Sequence, residues 1–257
     1  MLTAFPPPEL PGTLTVAVPG LLEHRVDEPL PLASVGKLLL LTEVARGLTG
    51  GALEADEPVD VLDEDYCGGS GLLARLSQRR WTIADLARLT AAVSDNSATN
   101  ALIRRVGLDR VNKGAEELGL TQTRILDRIR EPRLPEHPPT FSVGTARELA
   151  ALAQQIAGPA PWARVVLGWM AACSDRSMVA AAIPHDPEDD TLRDVPLDRL
   201  WVANKTGTDI GMRCDVGVVR GTREVCYAVL SACPPGREFE MVQAMRTIGA
   251  RIAAFTM

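Results

Sequence analysis

The stretch Ala33-Ser34-Val35-Gly36-Lys37 sets a hydroxyl and an amine three residues apart, just ahead of the apolar run Leu38-Leu39-Leu40-Leu41. That run reads as a buried helix. If Ser34 opens it, Lys37 lies one turn later on the same face, since residues three apart are helix neighbours, and the positive end of the helix dipole lies close to Ser34. An amine in a spot too dry to keep an ammonium fully solvated can take the proton of a nearby hydroxyl and make a weak nucleophile useful. Ser-x-x-Lys alone is often no more than a helix start. Its weight comes from two further groups that follow in order, Ser94-Asp95-Asn96 and Lys205-Thr206-Gly207. Singly, the first reads as an N-cap, because all three residue types favour that position, and the second as a strand end and turn. Together with Ser34 and Lys37 they point to chemistry.

The elements that must position these residues can be read in outline. Residues 13–18 alternate like a half-buried strand, Pro19-Gly20 turns the chain, and residues 21–26 return as a second short strand. The Ser34 helix runs to Arg46 and ends at Gly47 and Gly50-Gly51. From residue 53 to 187 the pattern is helical, with no convincing strand: helices over 82–93, 97–106, 108–118, 145–156 and 162–173. Thr82-Ile83-Ala84-Asp85 resembles a capping box, with Asp in place of Glu or Gln. Residues 67–71 form a flexible glycine-rich loop. Residues 125–140, rich in proline and charge, form a loop of a length usually tied to function, and residues 187–194 form an acidic solvated loop. The tail changes character, with strands over 200–205, 215–219 and 225–230 and an amphipathic helix over 237–255. Strands at both ends with helices between them predict an α/β fold: an antiparallel sheet built from both termini and flanked by helices, with an all-α domain inserted. The expected division is 1–46 with 195–257 for the sheet domain and 47–194 for the helical domain, with the active site between them.

Composition excludes several classes of partner. The chain has 257 residues, 46% hydrophobic and 23% charged, with a net charge of -6. At this size a core needs no disulfide or metal staple. The negative balance, without a basic cluster, argues against nucleic acid, and no apolar run approaches the roughly 18 residues of a membrane span. Met1 to Pro8 has no basic n-region and no apolar h-region, so a cytoplasmic location is expected, or a secreted or periplasmic one if a leader precedes it. Cys67, Cys173, Cys214, Cys226 and Cys233 form no Cys-x-x-Cys pair and read as reduced, mostly buried thiols. His24, His137 and His185 lie far apart, so no metal site and no cofactor is expected.

On the three motifs, in this order and on these elements, the chain resembles the class A β-lactamase family and the wider group of β-lactamase-like serine hydrolases. The resemblance spans nearly the whole sequence and takes in Gly69-Ser70-Gly71-Leu72, residues 93–100, Leu118-Gly119-Leu120 and Lys205-Thr206-Gly207-Thr208. It implies a β-lactamase/transpeptidase-like fold, a monomer and a small-molecule substrate. It further implies that Ser34 forms an acyl-enzyme, Lys37 takes or relays its proton, and Ser94 passes a proton to the leaving nitrogen beside the cation Lys205. The backbone N–H groups of Ser34 and Thr208 would form an oxyanion hole. Asn96 would orient Lys37 and bind the substrate amide, and Thr206, Gly207, Thr208 and Arg213 would line a substrate carboxylate site. Glu131, in Glu131-Pro132-Arg133-Leu134, would be the base of deacylation.

The chain departs from the family where that deacylating water is held. Pro135 stands where an asparagine is expected, and it has no side-chain amide. Ile129 takes the place of an arginine two residues before the glutamate, flanked by Arg128 and Arg130, and the 67–71 loop lacks a pocket-walling aromatic, although Tyr66 is near. Three readings follow: opening of β-lactam rings; an amidase, esterase, peptidase or acyl transferase for a non-lactam substrate; or a slowly deacylating penicillin-binding or sensing protein.

Overall fold

A computed structural model describes residues 9–192 and 199–257. Met1 to Pro8, the end of the acidic stretch and the expected boundary at 194/195 lie outside the described residues. In chain order the elements are β1 (Thr13–Val18), β2 (Leu22–His24), β3 (Leu30–Pro31), α1 (Lys37–Thr49), β4 (Pro58–Asp60), β5 (Arg80–Thr82), α2 (Ile83–Ala92), α3 (Asn96–Val106) and α4 (Leu108–Glu117). Then come β6 (Arg124–Ile125), β7 (Ser142–Gly144), α5 (Ala146–Ala157), α6 (Pro161–Ala171), β8 (Trp201–Asp209), β9 (Met212–Arg220), β10 (Glu224–Ala232) and α7 (Glu238–Thr256). The strands β4 to β7, two or three residues each, are too short to carry an alternating pattern, which is why the sequence between 53 and 187 reads as helix and loop alone.

The main sheet has the order β2-β1-β10-β9-β8 and is antiparallel throughout. Both its faces are covered, so β10 is apolar along its length. Cys226, Ala228 and Leu230 face one core, while Val225, Tyr227 and Val229 face the other. The first core lies beneath the helices: α5 offers Leu149, Leu152 and Ile156 at helical spacing, and α6 offers Val166, Leu167 and Met170. On the other face α7 lays down Met241, Met245, Ile248 and Ile252, packed with the 3-10 turn Val179–Ala182.

Helix α1 runs through the first core. Leu38, Leu39, Leu40, Leu41 and Val44 are all buried, each worth roughly 1.5–3 kcal/mol relative to exposure. Burial on every side makes α1 a fixed post. Side-chain caps fix the helix starts: Thr82 accepts from the Asp85 N–H at 3.1 Å, Asp95 from Ala98 and Thr145 from Glu148. Among the described residues no helix is long and apolar enough to cross a membrane, and no cluster of His, Cys, Asp and Glu suits a metal ion.

Candidate active site

Ser34 does not open α1 itself. It is the second residue of a 3-10 turn, Ala33–Gly36, that leads into α1. Side chains three apart eclipse in a 3-10 turn, which brings Lys37 into line with Ser34. The turn is held from three sides. The Ser142 hydroxyl donates to the Ala33 carbonyl at 3.1 Å, Leu32 N–H donates to the Ser142 carbonyl, and β8 presses close at Gly207. A Cβ on Gly207 would lie 2.9 Å from Val35 N and 3.1 Å from Ser34 N, so only glycine lets the edge strand approach this near. Ala33 sits at φ +45°, a conformation that persists only where its surroundings over-determine it. As an early residue of the turn, Ser34 has a backbone N–H without an intrahelical partner.

Lys37 is fully buried, and its amine has three short contacts: the Ser94 carbonyl at 2.6 Å, Asn96 Oδ1 at 2.7 Å and Ser94 Oγ at 3.1 Å. Lys205 reaches the same Ser94 Oγ at 3.0 Å and donates to the Thr206 carbonyl at 2.8 Å. One hydroxyl therefore stands between two amines. Burial is the main cause that drives the Lys37 pKa well below the ordinary lysine value, and the neighbouring Lys205 adds to it. Lys205 is lowered as well, again chiefly by burial. A neutral Lys37 keeps a lone pair for a proton, and Ser94 Oγ, with two lone pairs and one hydrogen, can pass one on. Ser34 Oγ makes no hydrogen bond among the described residues; catalytic contacts of this kind often tighten only with substrate.

Asp95 does the structural work of the central motif. One carboxylate oxygen caps α3, and the other accepts from Leu72 and Leu73 N–H at 2.7 Å each, so the 69–73 loop and α3 hold each other. Ser94 is pushed to φ +55° beside it. Asn96 donates from Nδ2 to the Gly68 carbonyl at 2.7 Å while accepting from Lys37, which fixes its amide orientation.

Two cavities meet at Ser34. The larger, about 460 Å³, is walled by Asn96, Glu131, Phe141, Thr208 and Met212 among others; the smaller, about 110 Å³, by Ser94, Asp175, Lys205, Thr206 and Thr208. The long loop brings Glu131 to the larger one, its carboxylate facing Gly68 and Gly69. A Cβ on Gly69 would lie 3.1 Å from Glu131 Oε2 and 3.0 Å from Asn96 Nδ2, so carboxylate and amide flank one spot. The loop is anchored by Asn100, whose amide both donates to the Ile129 carbonyl (3.0 Å) and accepts from its N–H (2.8 Å). It is also tied across its neck by Asp127, which pairs with Arg130 and Arg133. Pro135 is exposed and lies in a turn closed by the His137 N–H to Leu134 carbonyl bond, so the position expected to carry an amide faces outward. Tyr66 lies under the Arg79 guanidinium, 5.3 Å from ring centroid to Cζ.

Arg213 departs from expectation. Its guanidinium donates to the carbonyls of Asp209 and Met212, at 2.7 Å each, and closes its own β-turn. Short-range backbone acceptors claim it because the β8–β9 turn is only two residues long. Sequence reasoning missed four residues that shape the site: Ser142, Asn100, Asp175 and Asp215. Asp175 accepts from Ser177 N–H at 3.0 Å and lines the smaller cavity with Lys205 and Thr206. Asp215 is fully buried behind β8 and accepts from Asn204, Tyr227 and Val179; burial raises its pKa to about 6. Only Asp175 carried a signal, in the polar run Cys173-Ser174-Asp175-Arg176-Ser177 that interrupts the apolar pattern.

The chain belongs to the β-lactamase enzyme family, whose model matches residues 17–256. It is 30% identical over 188 residues to β-lactamase L2 of Stenotrophomonas maltophilia, covering 72% of this chain and 59% of that protein. It is 28% identical over 228 residues to a β-lactamase of Streptomyces fradiae, covering 83% and 65%. The matched region thus spans less than two thirds of these curated relatives' length. Among solved structures, a β-lactamase from Sphaerobacter thermophilus superposes with a TM-score of 0.80 at 25% identity, covering 95% of this chain and 91% of that one.

Proposed function

We infer that the protein is a serine hydrolase of class A type that opens β-lactam rings through an acyl-enzyme on Ser34. The observation that carries this reading is the fully buried Lys37 amine bonded to Ser94 and Asn96, with Lys205 on the far side of the same Ser94 hydroxyl. In this scheme Ser34 Oγ attacks the carbonyl carbon and its proton passes to Lys37. The oxyanion is met by the N–H groups of Ser34 and Thr208, each worth on the order of 10²–10³ in rate. As the C–N bond breaks, the proton travels through Ser94 to the leaving nitrogen. A water between Glu131 and the Asn96 amide then loses a proton to Glu131 and attacks the ester carbonyl, and Ser34 Oγ leaves with that proton as the acid product departs.

Intact-protein mass after mixing with a penicillin and with a chromogenic cephalosporin tests this, with Ser34→Ala alongside. The expected result is turnover in the natural chain, and neither turnover nor an adduct of one substrate mass in the variant. Labelling that persists in Ser34→Ala refutes the assignment. One observation favours a second reading, a related amidase or esterase for a non-lactam acyl compound, or a protein that stays acylated: the outward position of Pro135 leaves Glu131 without the amide partner the family pattern provides. A stable adduct without turnover supports that reading.

A further inference from the structure

Among the described residues, Ser34, Thr208 and Ser70 line both of the cavities that meet at the site. The cavities therefore join at a waist bounded by the turn before α1, the β8 edge and the 69–73 loop. In the acyl-enzyme reading the reacting carbonyl lies at this waist, because Ser34 Oγ attacks it and the N–H groups of Ser34 and Thr208 hold its oxygen. The atoms attached directly to that carbonyl then face the third residue, Ser70.

Ser70 is exposed and small, and its hydroxyl has no hydrogen-bond partner among the described residues. The backbone that carries it is fixed on both sides. Asn96 N–H donates to the Ser70 carbonyl at 3.0 Å, and Asn96 Nδ2 donates to the Gly68 carbonyl at 2.7 Å. Beyond Ser70, the Asp95 carboxylate holds the N–H groups of Leu72 and Leu73. Gly71, at φ +114°, brings the loop so close to the start of α3 that a Cβ there would meet Asp95. A loop bound in this way cannot retreat from a larger side chain at position 70. The nearby aromatic does not fill the space either: Tyr66 lies under Arg79 and lines neither cavity.

We propose that Ser70 is a specificity-determining residue: its small side chain keeps the waist open, and the site takes acyl compounds branched at the carbon beside the reacting carbonyl. Bulk at position 70 would act as a steric filter against such compounds. This rests on the acyl-enzyme reading, and the test tells the two apart. Acylation by p-nitrophenyl acetate and by p-nitrophenyl pivalate, which is fully branched at that carbon, is followed by nitrophenolate release and by intact mass. The ratio of the two rates is compared between the natural chain, Ser70→Ala, Ser70→Val and Ser70→Ile, which cancels the intrinsic reactivity of the esters.

Valine and isoleucine are branched at Cβ and stiff, so they cannot swing clear of the waist as a longer unbranched chain could. Ser70→Ile is expected to lower the pivalate rate relative to the acetate rate by at least about ten-fold, the size of effect that one misplaced methyl group can have in a pocket. Ser70→Val is expected to fall between, and Ser70→Ala to keep the natural ratio. An unchanged ratio in Ser70→Ile overturns the proposal. So does an equal fall in Ser70→Ala, which would assign the effect to the lost hydroxyl. Absence of an adduct from either ester in the natural chain instead overturns the nucleophile reading, and the proposal with it.

Discussion

Gly207 lets β8 lie against the turn that carries Ser34, and Gly207→Ala probes that closeness directly. The added Cβ would meet Val35 N at 2.9 Å and Ser34 N at 3.1 Å, and the Leu32 carbonyl oxygen nearer still. All three neighbours are backbone, in a turn pinned by Ser142, so no side chain can swing aside. Ordinary non-bonded contact needs about 3.5 Å, so strand and turn must part by roughly half an ångström or more. Overpacking of this kind costs about 1–3 kcal/mol, which for a chain of this size lowers Tm by about 2–10 °C. The separation falls on the two N–H groups assigned to the oxyanion hole. A misplacement near 1 Å costs on the order of 10² in rate and loss of one donor on the order of 10²–10³. Acylation by a chromogenic cephalosporin or a p-nitrophenyl ester should therefore slow by about 10²-fold in a variant that is still folded at 25 °C. Stopped-flow release of the chromophore measures the rate, and a thermal melt confirms folding. A folded Gly207→Ala protein acylated at the natural rate would refute the assignment of the β8 edge to oxyanion stabilisation.

Two other changes follow from positions described above. Pro135 faces outward in a closed turn, so Pro135→Asn should leave deacylation within about three-fold and cost about 0.4–1 kcal/mol through a freer unfolded chain; a ten-fold gain in single-turnover deacylation would show that the residue reaches the water after all. Asp215 is raised to about 6 in the folded protein from an ordinary 3.8. A raised carboxylate contributes stability that is full below the unfolded value and is lost as pH climbs through the folded one. From pH 5 to pH 8 that loss amounts to about 1.4 kcal/mol. Urea unfolding at both pH values should show a pH dependence smaller by about this amount in Asp215→Asn, and an identical dependence in the two proteins would count against the raised value.

The candidate site residues were legible because their spacing is local and their order along the chain is distinctive. Ser34 and Lys37 lie within one turn, and Ser94-Asp95-Asn96 falls at a helix start, where Asp95 proves to be the cap. The sheet was legible from runs such as Val225 to Leu230, which are short and apolar on both faces and include the β-branched Val225 and Val229. What escaped were contacts between distant stretches. Ser142 and Ala33 are 109 residues apart, Arg104 and Asp65 are 39 apart, and nothing in either neighbourhood announces its partner. For Arg213 the contacts are short-range instead. Its guanidinium bonds the backbone carbonyls of Met212 and Asp209, one and four residues away, which are near enough in sequence to claim it locally. The 3-10 turn at Ser34 was hidden because 3-10 and α-helix share the same residue preferences over so few positions.

The sheet's strand order bears on how the protein comes into being. The hairpins β8–β9 and β9–β10 join neighbours in sequence, whereas β1 must pair with β10 across almost the entire chain, Thr13 opposite Ala232. Contacts of such long range form late and slowly. A growing chain therefore displays Ser34 and Lys37 early, yet it lacks Ser94 for another sixty residues and the β8 edge until more than two hundred have been made. The parts of the candidate site are distributed along the length of synthesis, so it is complete only as folding completes, and a chain cut short before β8 carries Ser34, Lys37 and Ser94 without Lys205 or the edge strand beside them.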